Sequence, residues 1–177
     1  MKKKPIYLWV LLVLSALISA SSLFGILGPV PSKEVLRASL SNSGSLTAQQ
    51  IEDTVNYTYQ VTASSHSIFN VVLIVLSAIL VVVAFVFLIR KNVQFANYAY
   101  LGYLLLAIVG LVYSFMNIQD AVQLIKDDTL GLGIGALAKG TVILFMIINV
   151  LFLALAFYKM WRQQKDLAEE AEAEEVA

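Results

Sequence analysis

The sequence predicts an all-α integral membrane protein, a four-transmembrane-helix bundle with a small extracytoplasmic helical cap. Of its 177 residues, 59% are hydrophobic and only 14% are charged. A soluble domain of this size could not bury that much apolar surface. Four runs without a charged residue, at 6–30, 68–89, 98–118 and 140–158, are each long enough to cross the ~30 Å hydrocarbon core of a bilayer.

Residues 1–30 form the first predicted unit, a short cytoplasmic N-terminus followed by a span. The lysines at 2–4 before an apolar stretch also resemble a signal peptide, with a cleavage site before Ser21. The apolar run continues to Val30, which is longer than the apolar region of a signal peptide. We therefore favour an uncleaved first span over a cleaved one.

The segment 31–67 is the largest polar stretch, and we expect it to form an extracytoplasmic helical loop. Ser32 can cap a short helix that runs to Leu40. Thr47 and Gln50 have the spacing of a capping box at the start of a second helix. These two helices are the predicted cap.

We next expect a span at 68–89, a cytoplasmic turn at 90–97 and a span at 98–118. An apolar stripe at helical spacing continues the third span outward, through Ile118, Ala121, Val122 and Ile125. We therefore expect the third helix to project beyond the bilayer and to contribute to the cap.

The last part of the chain divides into an extracytoplasmic loop at 119–139, a fourth span at 140–158 and an acidic cytoplasmic tail at 159–177. The fourth span is preceded by Gly131, Gly133, Gly135 and Gly140. This pattern lacks the strand and the lysine of a phosphate loop, so it predicts a turn or a close helix contact. The tail is expected to extend the last helix briefly.

Basic residues predict the orientation of the bundle, because positive flanks resist translocation. Eight basic residues fall on the side of both termini: Lys2, Lys3, Lys4, Arg90, Lys91, Lys159, Arg162 and Lys165. Four fall on the other side: Lys33, Arg37, Lys126 and Lys139. The sequence therefore predicts a multi-pass protein of the cell membrane with both termini in the cytoplasm.

Composition also limits the function classes. The formal net charge is zero, so no basic field would attract nucleic acid. The chain has no cysteine and one histidine, His66, which leaves no thiol nucleophile, thiolate site or histidine cluster. We predict no catalytic, cofactor-binding or metal-binding residue. Asn56 begins a glycosylation sequon that matters only in a eukaryotic secretory pathway.

Each predicted span carries a small or polar face, and such faces mediate helix association in membranes. The candidate residues for helix packing or for a polar pathway are Asn70, Ser77, Gly110, Ser114, Asn117 and Asn149. We expect Ala107, Gly110 and Ser114 to allow close approach of another helix. Asn149, near the middle of its span, is expected to bond to a neighbouring helix, with a solute contact as the alternative.

Three hypotheses follow for the function. The first is a non-catalytic accessory subunit or partner of a larger membrane complex, with the lipid bilayer and another membrane protein, or a second copy, as its partners. The alternative is a small transporter or channel for a neutral or apolar solute. The solute would be neutral or apolar because no span has an ionisable group in its interior. The third is a membrane enzyme whose titratable groups would be Glu52, Asp53, His66, Asp120, Asp127 and Asp128.

Overall fold

The computed structural model describes residues 5–42 and 46–175, and the side chains as far as residue 165. This part of the chain contains helices and no strand. The six helices are α1 (Ile6–Leu27), α2 (Lys33–Ser41), α3 (Ala48–Ser65), α4 (Ile68–Ile89), α5 (Val93–Val122) and α6 (Asp128–Glu175). Four of them, α1, α4, α5 and α6, are long and apolar enough to cross a membrane. These four helices indicate a multi-pass membrane protein.

Local capping explains where α2 and α3 begin. The Val35 amide donates to the Ser32 hydroxyl, as expected for an N-cap. The capping box predicted at the start of α3 is confirmed. The Gln50 amide donates to Thr47 Oγ1 at 3.3 Å, and the Thr47 amide donates to Gln50 Oε1 at 3.1 Å. Polar spacing in the sequence was therefore sufficient to place these two helix starts.

The helices pack in a definite order. The main pair is α4 and α5; α1 packs on α4, α6 packs on α5, and α3 packs on α5 with α2 on its outer side. We call the end of the bundle that holds Pro5, the α4–α5 turn and Lys159 the Arg90 end. The opposite end, which holds α2, α3 and the α5–α6 turn, is the α3 end.

The hydrophobic core lies at the Arg90 end. Leu8, Leu12, Tyr100 and Leu104 are completely buried there. The small residues expected on inward faces are also completely buried in this half: Ala84, Ala96 and Ala156. Two hydrogen bonds join α1 to α5 across this core. The Tyr7 hydroxyl donates to Asn97 Oδ1 at 3.0 Å, and the Ser15 hydroxyl donates to the Tyr100 oxygen at 3.4 Å.

Helices α5 and α6 extend beyond the sequence-based ranges of the third and fourth spans. Helix α5 starts before residue 98 and continues past 118 to Val122, as its apolar stripe predicted. Helix α6 runs without interruption from Asp128 to Glu175. The segment 119–139 is thus largely helical. The glycines before residue 140 form no turn, but Gly135 makes the close helix contact that was the other expectation. Tertiary contact outweighs the low helix propensity of glycine here, because a Cβ at Gly135 would lie 3.2 Å from Val122 Cγ1. The acidic tail lies on the same helix.

Candidate binding cleft

A cleft of about 710 Å³ opens among α1, α4, α5 and α6 in the half of the bundle nearer the α3 end. Its walls come from residues 17–26 of α1, 70–77 of α4, 103–114 of α5 and 145–149 of α6. The packed core at the Arg90 end closes it on one side. Because α1 and α6 are not one of the main packing pairs, the space between them is left open.

The cleft opens sideways, between α1 and α6. Leu17 of α1 and Phe145 of α6 both line the cleft, and their exposed fractions are nevertheless 63% and 42%. In a protein whose spans lie in a bilayer, that opening faces the lipid chains.

The lining is mainly apolar and contains no charged residue. Its polar members are Ser19, Ser21, Ser22, Ser65, Asn70, Ser77, Tyr103, Ser114 and Asn149. Binding pockets for small molecules are typically ~300–1,000 Å³ in volume and combine apolar walls with a few polar groups. The cleft has both properties.

Two glycines expose backbone to the cleft. A Cβ built at Gly25 of α1 or at Gly110 of α5 would meet no atom of the described residues within 4 Å. Among the residues that the structure describes, the close helix contact expected at Gly110 is therefore absent, and Gly110 faces open space instead. Gly102, two turns away on the same helix, shows the expected behaviour, because a Cβ there would lie 3.3 Å from Leu80 Cδ1.

The two asparagines of the cleft have their amide groups fixed by their own helices or the preceding turn. Asn149 Nδ2 donates to the Phe145 carbonyl at 2.8 Å, and Asn70 Nδ2 donates to the Ser65 carbonyl at 2.7 Å. A carbonyl pairs only with the NH₂ group, so in both residues Oδ1 is the atom left for another partner. The interhelical bond expected for Asn149 is replaced by this bond within α6.

Five of the six predicted site residues line the cleft: Asn70, Ser77, Gly110, Ser114 and Asn149. The sixth, Asn117, lies farther along α5 toward the α3 end, and its Nδ2 donates to the Tyr113 carbonyl at 2.9 Å. Sequence reasoning missed Gly25. The serines of α1 at positions 19 and 22 give the signal that could have found it, because Gly25 continues their face by one more helical step.

The acidic groups of the enzyme hypothesis are mostly engaged in structure. Asp53 is buried, and its Oδ2 accepts hydrogen bonds from the backbone amides of Lys126 at 2.9 Å and Asp127 at 3.1 Å. Gln49 donates to the other oxygen at 2.7 Å. Burial raises the pKa of Asp53, but these hydrogen bonds together outweigh it and leave the pKa below its usual value.

Asp127 continues the same arrangement at the start of α6. Its Oδ1 accepts from the Leu130 amide at 2.9 Å, and its Oδ2 accepts from Gln50 Nε2 at 3.0 Å. The hydrogen bond from the Leu130 amide, followed by that from Gln50, lowers the pKa of Asp127. These contacts fasten α3 to the α5–α6 turn.

The other titratable candidates have separate partners or are exposed. Glu52 forms an ion pair with Arg37 of α2, with Oε2 and Nη2 at 2.6 Å. The two ring nitrogens of His66 lie 2.9 Å from the carbonyl oxygens of Thr62 and Gly28, which links the end of α1 to the α3–α4 junction. Asp120 and Asp128 are exposed. Among the side chains that the structure describes, in residues 5–42 and 46–165, no group of three or more His, Asp or Glu residues could hold a metal ion.

A protein family model matches most of the chain. The family model described as "Domain of unknown function (DUF8777)" matches residues 1–169. No curated protein and no solved structure matches the chain.

Proposed function

The chain belongs to the DUF8777 family, and we propose from its own geometry that it is a non-catalytic membrane protein that binds a guest from the bilayer in the cleft between α1 and α6. The observation that carries this proposal is the cleft itself, about 710 Å³ in volume, uncharged, and open at the side between α1 and α6. Volume, lining and access all fit a binding site for an apolar molecule.

The packed core beside the cleft supports binding over conduction. Leu8, Leu12, Tyr100 and Leu104 fill the Arg90 half of the bundle and are completely buried. A pathway for a neutral solute would have to cross this core, where close packing leaves little room for a solute. A transporter is the alternative function for the same cleft, since its solute would enter by the same opening.

The contacts of the acidic residues support a non-catalytic role. Asp53 and Asp127 accept backbone hydrogen bonds, and Glu52 is paired with Arg37. An acid or base in catalysis needs a position within hydrogen-bond reach of a substrate. These carboxylates lie at the α3 end, and none of them lines the cleft.

The accessory-subunit role is the second candidate function. The observation that favours it is the attachment of α3 to the α5–α6 turn through Asp53, which gives α2 and α3 a fixed position on the bundle. In that case the guest of the cleft would be a helix of a partner membrane protein, and α2 with α3 would extend the contact surface.

In the proposed orientation both termini and the α4–α5 turn are cytoplasmic, in a cell membrane. The basic residues near the Arg90 end, including Arg90, Lys91 and Lys159, support it. The chain has no cysteine, so Ala38→Cys on α2 and Gln94→Cys on α5, both exposed positions, can be labelled from outside intact cells. We expect an impermeant thiol reagent to label only the first variant. Labelling of the second alone would reverse the orientation.

Substitution of Gly110 tests the cleft. Gly110→Leu places a side chain in the space that the guest would occupy, whereas Val109→Leu enlarges the neighbouring exposed side chain, outside the cleft lining. Native mass spectrometry of the proteins purified in mild detergent would count retained lipid molecules. We expect loss of a bound lipid from Gly110→Leu and retention in Val109→Leu and the wild type.

The outcome separates the two functions. If all three proteins retain the same bound molecules, the cleft does not bind a guest and the proposal is wrong. Loss of a co-purified membrane protein from Gly110→Leu, with lipids unchanged, would favour the accessory-subunit role instead.

A further inference from the structure

The cleft restricts the charge of its guest. None of its lining residues is Asp, Glu, Lys, Arg or His. A phosphate, carboxylate or ammonium group drawn into this space would lose its hydration and find no opposite charge. The part of the guest that enters the cleft is therefore electrically neutral.

The asparagines restrict its hydrogen bonding. Asn149 and Asn70 have each committed the amide nitrogen to a backbone carbonyl, at 2.8 Å and 2.7 Å. Their Oδ1 atoms receive no hydrogen bond from another described residue. An amide oxygen only accepts, and leaving it unpaired away from water is unfavourable. The cleft thus presents two acceptors to a guest that carries a donor.

Two serine hydroxyls in the same walls are also available. Ser22 of α1 satisfies its hydroxyl in the usual way for a membrane helix, by donating to the Ile18 carbonyl at 3.1 Å. The side-chain hydroxyls of Ser77 of α4 and Ser114 of α5 make no hydrogen bond to any other residue that the structure describes. A hydroxyl donates and accepts, so these two can bind the oxygen of a guest whose own proton is given to an asparagine.

The rest of the cleft fits an aliphatic chain. Leu17, Leu73, Ile74, Leu106 and Leu111 supply apolar contacts, and the opening between α1 and α6 leads to the lipid phase. A molecule with a hydroxyl at one end and hydrocarbon at the other would satisfy both kinds of wall. Such molecules are neutral lipids, and they reach the opening by lateral diffusion.

We propose that the cleft selects a neutral lipid with a free hydroxyl group, which donates to Asn149 or Asn70 and accepts from Ser77 or Ser114. This inference rests on the proposed function of the cleft as a binding site. It distinguishes a lipid alcohol, such as a diacylglycerol, from the charged phospholipids that surround the protein.

A set of three lipids with the same chains tests the selection on the wild-type protein. The probes are dioleoylglycerol, its methyl ether, which keeps the oxygen but lacks the proton, and dioleoyl phosphatidic acid, which adds charge. Affinity would be measured by titration into the purified protein with native mass spectrometry. We expect the ether and the phosphatidic acid to bind roughly tenfold more weakly than the alcohol, because the acceptors then stay unpaired or a charge is desolvated.

Two variants assign the effect to the cleft. Asn149→Leu removes one acceptor at similar size, so the preference for the alcohol over the ether should shrink while the ether binds as before. Leu151→Ala, at an exposed position on the same helix, should keep the full preference. Gly110→Leu should weaken the binding of all three lipids.

Three results would contradict the inference, and each would overturn a different claim. If the alcohol and the ether bind equally to the wild type and Gly110→Leu abolishes both, the cleft binds lipid and the hydroxyl inference is wrong. If phosphatidic acid binds most tightly, the neutral-guest inference is wrong. If Gly110→Leu changes no affinity, the proposed function falls with it. Because the first comparison uses the wild-type protein alone, it stands even if Asn149→Leu fails to fold.

Discussion

At the Arg90 end, Ala84, Ala96 and Ala156 are completely buried between helices, whereas Gly25 and Gly110 at the other end face open space. Both sets are small residues on the inner faces of spans. In the first half they allow close packing, as small residues do in membrane bundles. In the second half Gly25 and Gly110 widen a cleft, although Gly135 packs on Val122. Small residues therefore identify the inner face of a helix, but they do not tell whether that face touches another helix.

The difference arises from how the outer two helices are arranged. Helix α1 packs on α4, and α6 packs on α5. At the Arg90 end, Tyr7 of α1 also contacts Asn97 of α5 and Lys159 of α6. The Lys159 ammonium lies 5.9 Å from the centre of the Tyr7 ring, so α1 and α6 approach each other there. Toward the α3 end, the space between them is occupied by the cleft. Close packing in one half thus accompanies an open cleft in the other.

The largest effect on stability is expected in the packed half. Leu104 is completely buried, and its neighbour Leu105 is 54% exposed. Leu104→Ala should lower the free energy of unfolding by about 2–3 kcal/mol, at the low end for a buried leucine. The low end applies because lipid solvates apolar groups too, so mainly packing contacts are lost. Thermal unfolding in detergent measures this loss.

Leu105→Ala is the matched control and should change the melting temperature little. If the two variants unfold alike, the Arg90 half is not the packed core, and the comparison between the two halves has no basis.

A smaller effect is expected from two glycines of α5 that sequence alone does not distinguish. Gly102 faces Leu80 at 3.3 Å, and Gly110 faces the cleft. Gly102→Leu should destabilise the protein by about 1–2 kcal/mol through overpacking, moderated by the flexible end of Leu80. Gly110→Leu should unfold like the wild type or at a slightly higher temperature, since leucine favours the helix more than glycine does.

The test is the difference in melting temperature between Gly102→Leu and Gly110→Leu. Equal destabilisation by both substitutions would mean that the cleft is closed by a helix in the folded protein.

The sequence was sufficient for the helical class and for most of the candidate site, because both depend on local pattern. Apolar runs define the four long helices, and helical spacing placed Asn70, Ser77, Gly110, Ser114 and Asn149 on inner faces. The cleft was not predictable, because it depends on the separation of α1 from α6. The uninterrupted α6 was missed for a related reason, since Gly135 remains helical where it packs on Val122.

The attachment of α3 was also beyond the sequence. Asp53 binds the amides of Lys126 and Asp127, which follow it by 73 and 74 residues in the chain. No periodicity in the sequence relates positions so distant. The adjacent Glu52 has the same charge and faces Arg37 instead, so the identity of the residue does not reveal which carboxylate is buried.

The smallest effect on global unfolding is expected from Asp53, because its contacts fix α3 to the α5–α6 turn and do not touch the packed core. Its pKa is lower in the folded protein than the usual 3.8. The ionised carboxylate therefore stabilises the fold above that value, and the contribution is lost as the pH falls through the lower pKa of the folded state.

Asp53→Ala should speed hydrogen exchange at the amides of Lys126 and Asp127, whereas Glu52→Gln, which weakens an exposed ion pair, should not. In the wild type, α3 should detach as the pH is lowered from neutral to below 3.8, while Asp53→Asn, which keeps one acceptor oxygen, should respond less to acid. Equal exchange in Asp53→Ala and the wild type would mean that α3 is held by apolar contacts such as those of the buried Val55, and the α3 end would then be less different from the packed half than we infer.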